Sequence, residues 1–136
     1  MNKIVKLYLR ARKFYLKGIP ILPVLIKRYM RIMYSCEIPF TCKIDKSVIF
    51  EHNALGVVIN EKAEIGENCD IYQNVTIGNR KGSGAPKIGK NVLIGAGAII
   101  IGDIVIGDNA KIGAGAIVVK SIPENSTVVC NLATPI

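Results

Sequence analysis

IGKNVLIGAGAIIIGDIVIGDNAKIGAGAIV, residues 88–118, is the stretch that decides the fold. Within it Ile88, Ile94, Ile100, Ile106, Ile112 and Val118 fall six apart. Four residues after each comes a small or apolar side chain: Val92, Ala98, Ile104, Ala110, Ala116 and then Ile122. Upstream, Ile59, Ile65, Ile71 and Ile77 keep the same spacing, followed by Ala63, Cys69 and Val75. A helix repeats near 3.6 residues and a half-buried strand at about 2, so a sustained six fits neither. It fits a solenoid whose hexads each supply one flat strand and one corner. Three hexads close a triangular coil, with the branched starter pointing inward and the smaller residue filling the corner. Coils stack as parallel strands, so backbone groups pair with the coil above or below. Gly66, Gly78, Gly89, Gly95, Gly107 and Gly113 follow the starters and read as permissive backbone for the turns. From Ile38 to the C-terminus there is room for about five coils.

Working outward, the beat begins less cleanly at Ile38, Ile44 and Phe50, with Cys42, Val48 and Ala54 in the corner positions. It then slips, because nine residues separate Phe50 from Ile59. A second break, Gly78 to Lys87, is a basic, Gly-rich loop that projects from a corner. Breaks in a regular solenoid are where surface is free for other uses. The tail from Val128 to Ala133 is expected to return along the prism.

Residues 1–35 form a separate, basic N-terminal helical segment, and 36–136 the β-helix domain. One helix is predicted over 2–17. A second follows from about Pro23 to Tyr34, with Leu25, Ile26, Tyr29, Met30 and Met33 as its apolar face. The first 35 residues carry nine Lys or Arg and no acid, whereas the remainder carries nine Lys or Arg and ten Asp or Glu. The net charge of +8 therefore belongs to the N-terminal segment. No nucleic-acid motif accompanies it. A membrane surface or an anionic glycolipid fits residues 1–35 better than nucleic acid does, and a solvated helix face is the plainer reading of the same charges. Cys36, Cys42, Cys69 and Cys130 form no CxxC pattern and read as reduced structural residues, as in a cytoplasmic protein. No stretch has the length of a transmembrane helix, and no signal-peptide pattern is present.

His52, the only histidine, sits in the first break. Its chemistry suits a general base acting on a hydroxyl acceptor. A single histidine falls short of the roughly three protein ligands that catalytic zinc needs, so no metal is expected. Glu37 lies fifteen residues earlier, close to one coil away, where a carboxylate can hold the second imidazole nitrogen.

Residues 37–133 resemble the serine acetyltransferase branch of the hexapeptide-repeat acyltransferases and its polysaccharide-modifying relatives. The resemblance rests on Glu51-His52 with Gly56-Val57-Val58-Ile59, on Gln73-Asn74-Val75-Thr76-Ile77-Gly78, and on Pro86-Lys87-Ile88-Gly89. Val92 to Ala98 and Lys111 to Ala116 complete it. It implies a left-handed parallel β-helix, acetyl-CoA as donor, and a homotrimer with the donor between adjacent prisms. It also implies His52 as catalytic base and Glu37 as its partner, with Glu51 and Asn53 at the acceptor. Gly78, Ala96 and Ala114 are the small residues along the pantetheine arm, and Lys87 and Lys120 the partners of the CoA phosphates. In the serine enzymes an Arg-His pair ends the loop and grips the amino acid, whereas Gly84-Ala85 stand here. That loss points to a sugar or surface-glycan hydroxyl as acceptor, with serine as the alternative. A non-catalytic scaffold is the reading from another class.

Overall fold

The computed structural model of the protein describes residues 1–135. Its β-region is a parallel solenoid with three faces. The first sheet stacks β1 (Lys43–Ile44), β4 (Glu64–Ile65), β7 (Lys87–Ile88) and β10 (Val105–Ile106). The second stacks β2 (Ile49–Phe50), β5 (Asp70–Ile71), β8 (Leu93–Ile94), β11 (Lys111–Ile112) and β13 (Thr127–Val128). The third stacks β3 (Val58–Ile59), β6 (Thr76–Gly78), β9 (Ile99–Ile101) and β12 (Ile117–Val118). This is the parallel β-helix expected from the hexads, in the left-handed form that the family resemblance implied. It has about four full turns rather than five, with isolated bridges from Glu37 to Val58 and from Ile106 to Ile122 extending it at each end.

The register shows why the period is six. Ile44, Ile65, Ile88 and Ile106 stack in one inward column. Phe50, Ile71, Ile94, Ile112 and Val128 form the second. Ile59, Ile77, Ile100 and Val118 form the third. All but Val128 are buried, and Ala63, Cys69, Val75, Ala98 and Ala110 close the corners beneath them. Burying each such Ile contributes roughly 2 kcal/mol.

The glycines after the starters serve a purpose other than the one expected. None of Gly66, Gly78, Gly89, Gly95, Gly107 and Gly113 has a positive φ. Most of them lie against the next coil instead: a Cβ on Gly66 would sit 2.5 Å from Gly89 O, and one on Gly95 2.6 Å from Ala114 N. Much of the left-handed turning falls to asparagines, at Asn68, Asn74, Asn91, Asn109 and Asn125. Asparagine tolerates that conformation better than other residues with a Cβ. Side-chain amide bonds link Asn68, Asn91, Asn109 and Asn125 up one corner.

Two helices, α1 (Lys3–Leu16) and α2 (Ile21–Tyr34), cover the N-terminal end. Ile4, Val5 and Tyr8 of α1 join the prism core. The Tyr8 hydroxyl donates to Cys42 O at 2.6 Å and accepts from Ile44 N. One Arg12 nitrogen donates to the carbonyls of Phe40, Thr41 and Cys42. These bonds satisfy the open edge of the first coil. α2 starts two residues before Pro23, which sits in its first turn, where an N–H has no intrahelical partner. Its core-facing side is also different from the one expected. Pro23 and Met30 are buried and Ile26 packs on the core, whereas Leu25, Tyr29 and Met33 face outward. At the other end, Thr127 and Val128 add one more parallel rung instead of running back along the prism.

Candidate active site

The first slip in the beat becomes a tight turn over Glu51–Ala54, between the second and third sheets. His52, Asn53 and Ala54 take left-handed φ in succession, at 49°, 55° and 61°. Such backbone is costly for residues with a Cβ and persists where surrounding structure enforces it. The Gly56 N–H donates to Ser35 O, Leu55 N–H to His52 O, and Asn74 N–H to Leu55 O, so the turn is tied to the chain on both sides. The result pushes His52 and Asn53 outward, exposed, while Ala54 is buried.

Glu37 pairs its backbone with Val58 and therefore lies beside the segment that closes the His52 turn. Its carboxylate is held by Lys27 and, at 3.1 Å, by Arg31, both on α2. Among the described residues its hydrogen-bond partner is Arg31, and no hydrogen bond joins it to His52.

On the other side of the turn stands Asp70, at the start of β5, beside Glu51. Burial first, and then the Glu51 carboxylate, push the Asp70 carboxyl above its ordinary value. Asp70 Oδ1 and Gln73 Oε1 are both buried without a hydrogen-bond partner. Both belong to the coil stacked directly against the His52 turn. The sequence carried no sign that Asp70 would meet Glu51. It precedes a hexad starter, as Lys43, Glu64 and Lys87 do, and those outward positions are ordinarily solvated.

The expected donor residues divide. Ala96 and Ala114 lie in the same corner column as the His52 turn, linked through Gly97 N–H to Gln73 O and Gly115 N–H to Ala96 O. Gly78 and Lys120 lie across the third sheet, at the corner where the Gly-rich loop leaves, with Gly102 N–H donating to Gly78 O. Lys87 points outward from the first sheet, between Glu64 and Val105. Within one chain these five do not line a single groove. Among the described residues, no group of three or more His, Cys, Asp or Glu is arranged to hold a metal ion.

The bacterial transferase hexapeptide (six repeats) family matches residues 85–120. The serine acetyltransferase of Staphylococcus xylosus is 41% identical over 125 residues, which is 90% of this chain and 57% of that protein. That of Synechocystis sp. is 43% identical over 122 residues, 88% of this chain and 49% of the relative. Among solved structures, Neisseria gonorrhoeae serine acetyltransferase in complex with serine superposes with a TM-score of 0.88 at 36% identity. The match covers 97% of this chain and 55% of that one.

Over most of its length this chain resembles the serine acetyltransferase branch of the hexapeptide-repeat transferases.

A further member of the branch, the Brucella abortus serine acetyltransferase in complex with coenzyme A, has a TM-score of 0.88 at 32% identity, covering 96% of this chain and 53% of that one. The chain spans about half the length of the relatives it matches. These likenesses overturn the sugar or surface-glycan acceptor, and with it a place in polysaccharide synthesis, that the shortened loop had pointed to. The relatives and solved neighbours compared are serine acetyltransferases, and the missing Arg-His pair did not decide the acceptor. That pair bears on a carboxylate, whereas the Glu51–Asp70 side of the turn offers recognition of another kind.

Proposed function

We propose that this protein is an acetyl-CoA-dependent serine O-acetyltransferase. The observation that carries the reading is the pair Glu51 and Asp70, with two orphan acceptor oxygens, next to the exposed His52. A sugar hydroxyl brings one O–H donor and no positive charge to offset two crowded carboxylates. An ammonium supplies three N–H donors and a positive charge, which relieves the repulsion between the two carboxylates. Serine carries such an ammonium one carbon away from the carbon that bears its hydroxyl.

In this reading His52 accepts the proton of the serine hydroxyl as its oxygen attacks the acetyl carbonyl carbon. The tetrahedral intermediate collapses with cleavage of the C–S bond, and His52 returns the proton to the departing thiolate. The products are O-acetylserine and CoA. Glu37 is held by Lys27 and Arg31 beside the turn, where its backbone pairs with Val58. Backbone N–H groups near Gly78 of a neighbouring copy stabilise the oxyanion.

A homotrimer through the third sheet is the assembly we propose. Its outward column, Val58, Thr76, Ile99 and Ile117, is largely apolar, with Ile117 67% exposed. The first sheet instead presents the Lys43–Glu64 ion pair and Lys87. A neighbour packed there brings its Gly78 and Lys120 corner toward the His52 corner, with Ala96 and Ala114 alongside. Free thiols fit a cytoplasmic setting.

Steady-state kinetics on Asp70→Asn test the reading. The KM for serine rises at least about tenfold, the cost of losing a charged hydrogen bond, while the KM for acetyl-CoA stays put. An unchanged serine KM refutes the ammonium site.

A further inference from the structure

α2 carries apolar side chains on two adjoining arcs, one buried and one exposed. Pro23 and Met30 are buried toward the prism, with Ile26 packed on the core. Away from it, Ile21, Leu22, Leu25, Tyr29, Ile32 and Met33 are exposed, Ile32 to 79% and Ile21 to 66%. At about 3.6 residues per turn these six fall on one arc of roughly 120°. A helix that is apolar over so wide an arc is ordinarily covered over all of it, and a contiguous exposed patch of this kind marks an interaction surface.

Charge narrows the choice of cover. Residues 1–35 hold nine Lys or Arg and no acid. A second copy of the same face would set these cations against each other. A nucleic acid would take the charge and leave the apolar arc wet. An anionic bilayer takes both, with the arc in the acyl boundary and the cations among the headgroups. No helix of the described residues is long and apolar enough to cross a membrane, so the geometry is that of a helix lying in the interface.

We propose that the outward arc of α2 seats the protein on an anionic lipid surface, with Lys13, Lys17 and Arg28 at the headgroups. The inference rests on the exposed arc and its surrounding charge, and it stands apart from the choice of acceptor.

The test is co-sedimentation of the full chain with phosphatidylcholine vesicles, pure or containing about 30% phosphatidylglycerol, at low and high salt. Binding is expected to the anionic vesicles only, and to weaken with salt. The double variant Leu25→Glu/Ile32→Glu binds at least about tenfold more weakly, because two apolar anchors become acids. It melts like the wild type and keeps its rate of CoA release from acetyl-CoA. Should that variant fold poorly, Lys13→Glu/Lys17→Glu, on an exposed stretch, gives the same loss of anionic binding. Absence of wild-type binding, or variants that bind as well as wild type, overturns the proposal. So does a double variant that breaks up a lipid-free assembly, since the arc then belongs to a contact between copies.

Discussion

Cys36, Cys42 and Cys69 show how far a single position could be read from the chain. Cys42 and Cys69 occupy corner slots in the beat, where a small apolar residue is wanted, and all three thiols are buried. Burial pushes Cys36 and Cys69 up to about 11 and Cys42 to about 12. Thiolate is the reactive form, so at pH 8 these three are inert. A maleimide reagent is therefore expected to label only the exposed Cys130 in the folded protein and all four cysteines after denaturation, as counted by intact mass. Asp70 is the opposite case. Its partners come from a different coil, and no local spacing announced them. Because its folded carboxyl titrates above the unfolded value, the folded state holds that proton more tightly. The resulting stabilisation is present below the unfolded value and lost as pH rises through the folded one. Asp70→Asn removes this dependence. Its melting temperature should exceed that of the wild type at pH 7, and the gap should narrow at pH 4.

At the scale of elements, the hexads fixed which residue points inward on every rung, because a six-residue side of a triangle allows only one answer. The role of the glycines was less legible. Single-chain reasoning sees a permissive residue, whereas the stacked coils leave no room for a Cβ. Gly95→Ala should cost about 1–3 kcal/mol, because the methyl meets rigid backbone at Ala114. Urea unfolding would measure it. A change below about 0.5 kcal/mol, the range of ordinary surface substitutions, would show that the coils can part there. The helices were placed to within about two residues, yet the face of α2 was misassigned. Its hydrophobic positions surround most of the helix, so periodicity alone could not say which arc meets the prism.

For the molecule as a whole, a rigid three-sided stack lifts one histidine out on a strained turn and stacks an acidic pair against it. The solenoid and the histidine were legible because both leave marks in a linear pattern, a beat and a break in the beat. The acidic pair was not, since Glu51 and Asp70 meet only once the coils are stacked. The central claim is that His52 deprotonates serine for attack on acetyl-CoA. Release of free CoA thiol from acetyl-CoA, with L-serine as acceptor, tests it most directly when wild type and His52→Asn are compared. Asparagine tolerates the left-handed backbone at this position, so the turn and the melting temperature should survive. The prediction is serine-dependent thiol release by the wild type and a loss of about 10²- to 10⁴-fold in the variant, the usual contribution of a general base. No serine-dependent release by the wild type, or equal rates for the two proteins, would contradict it.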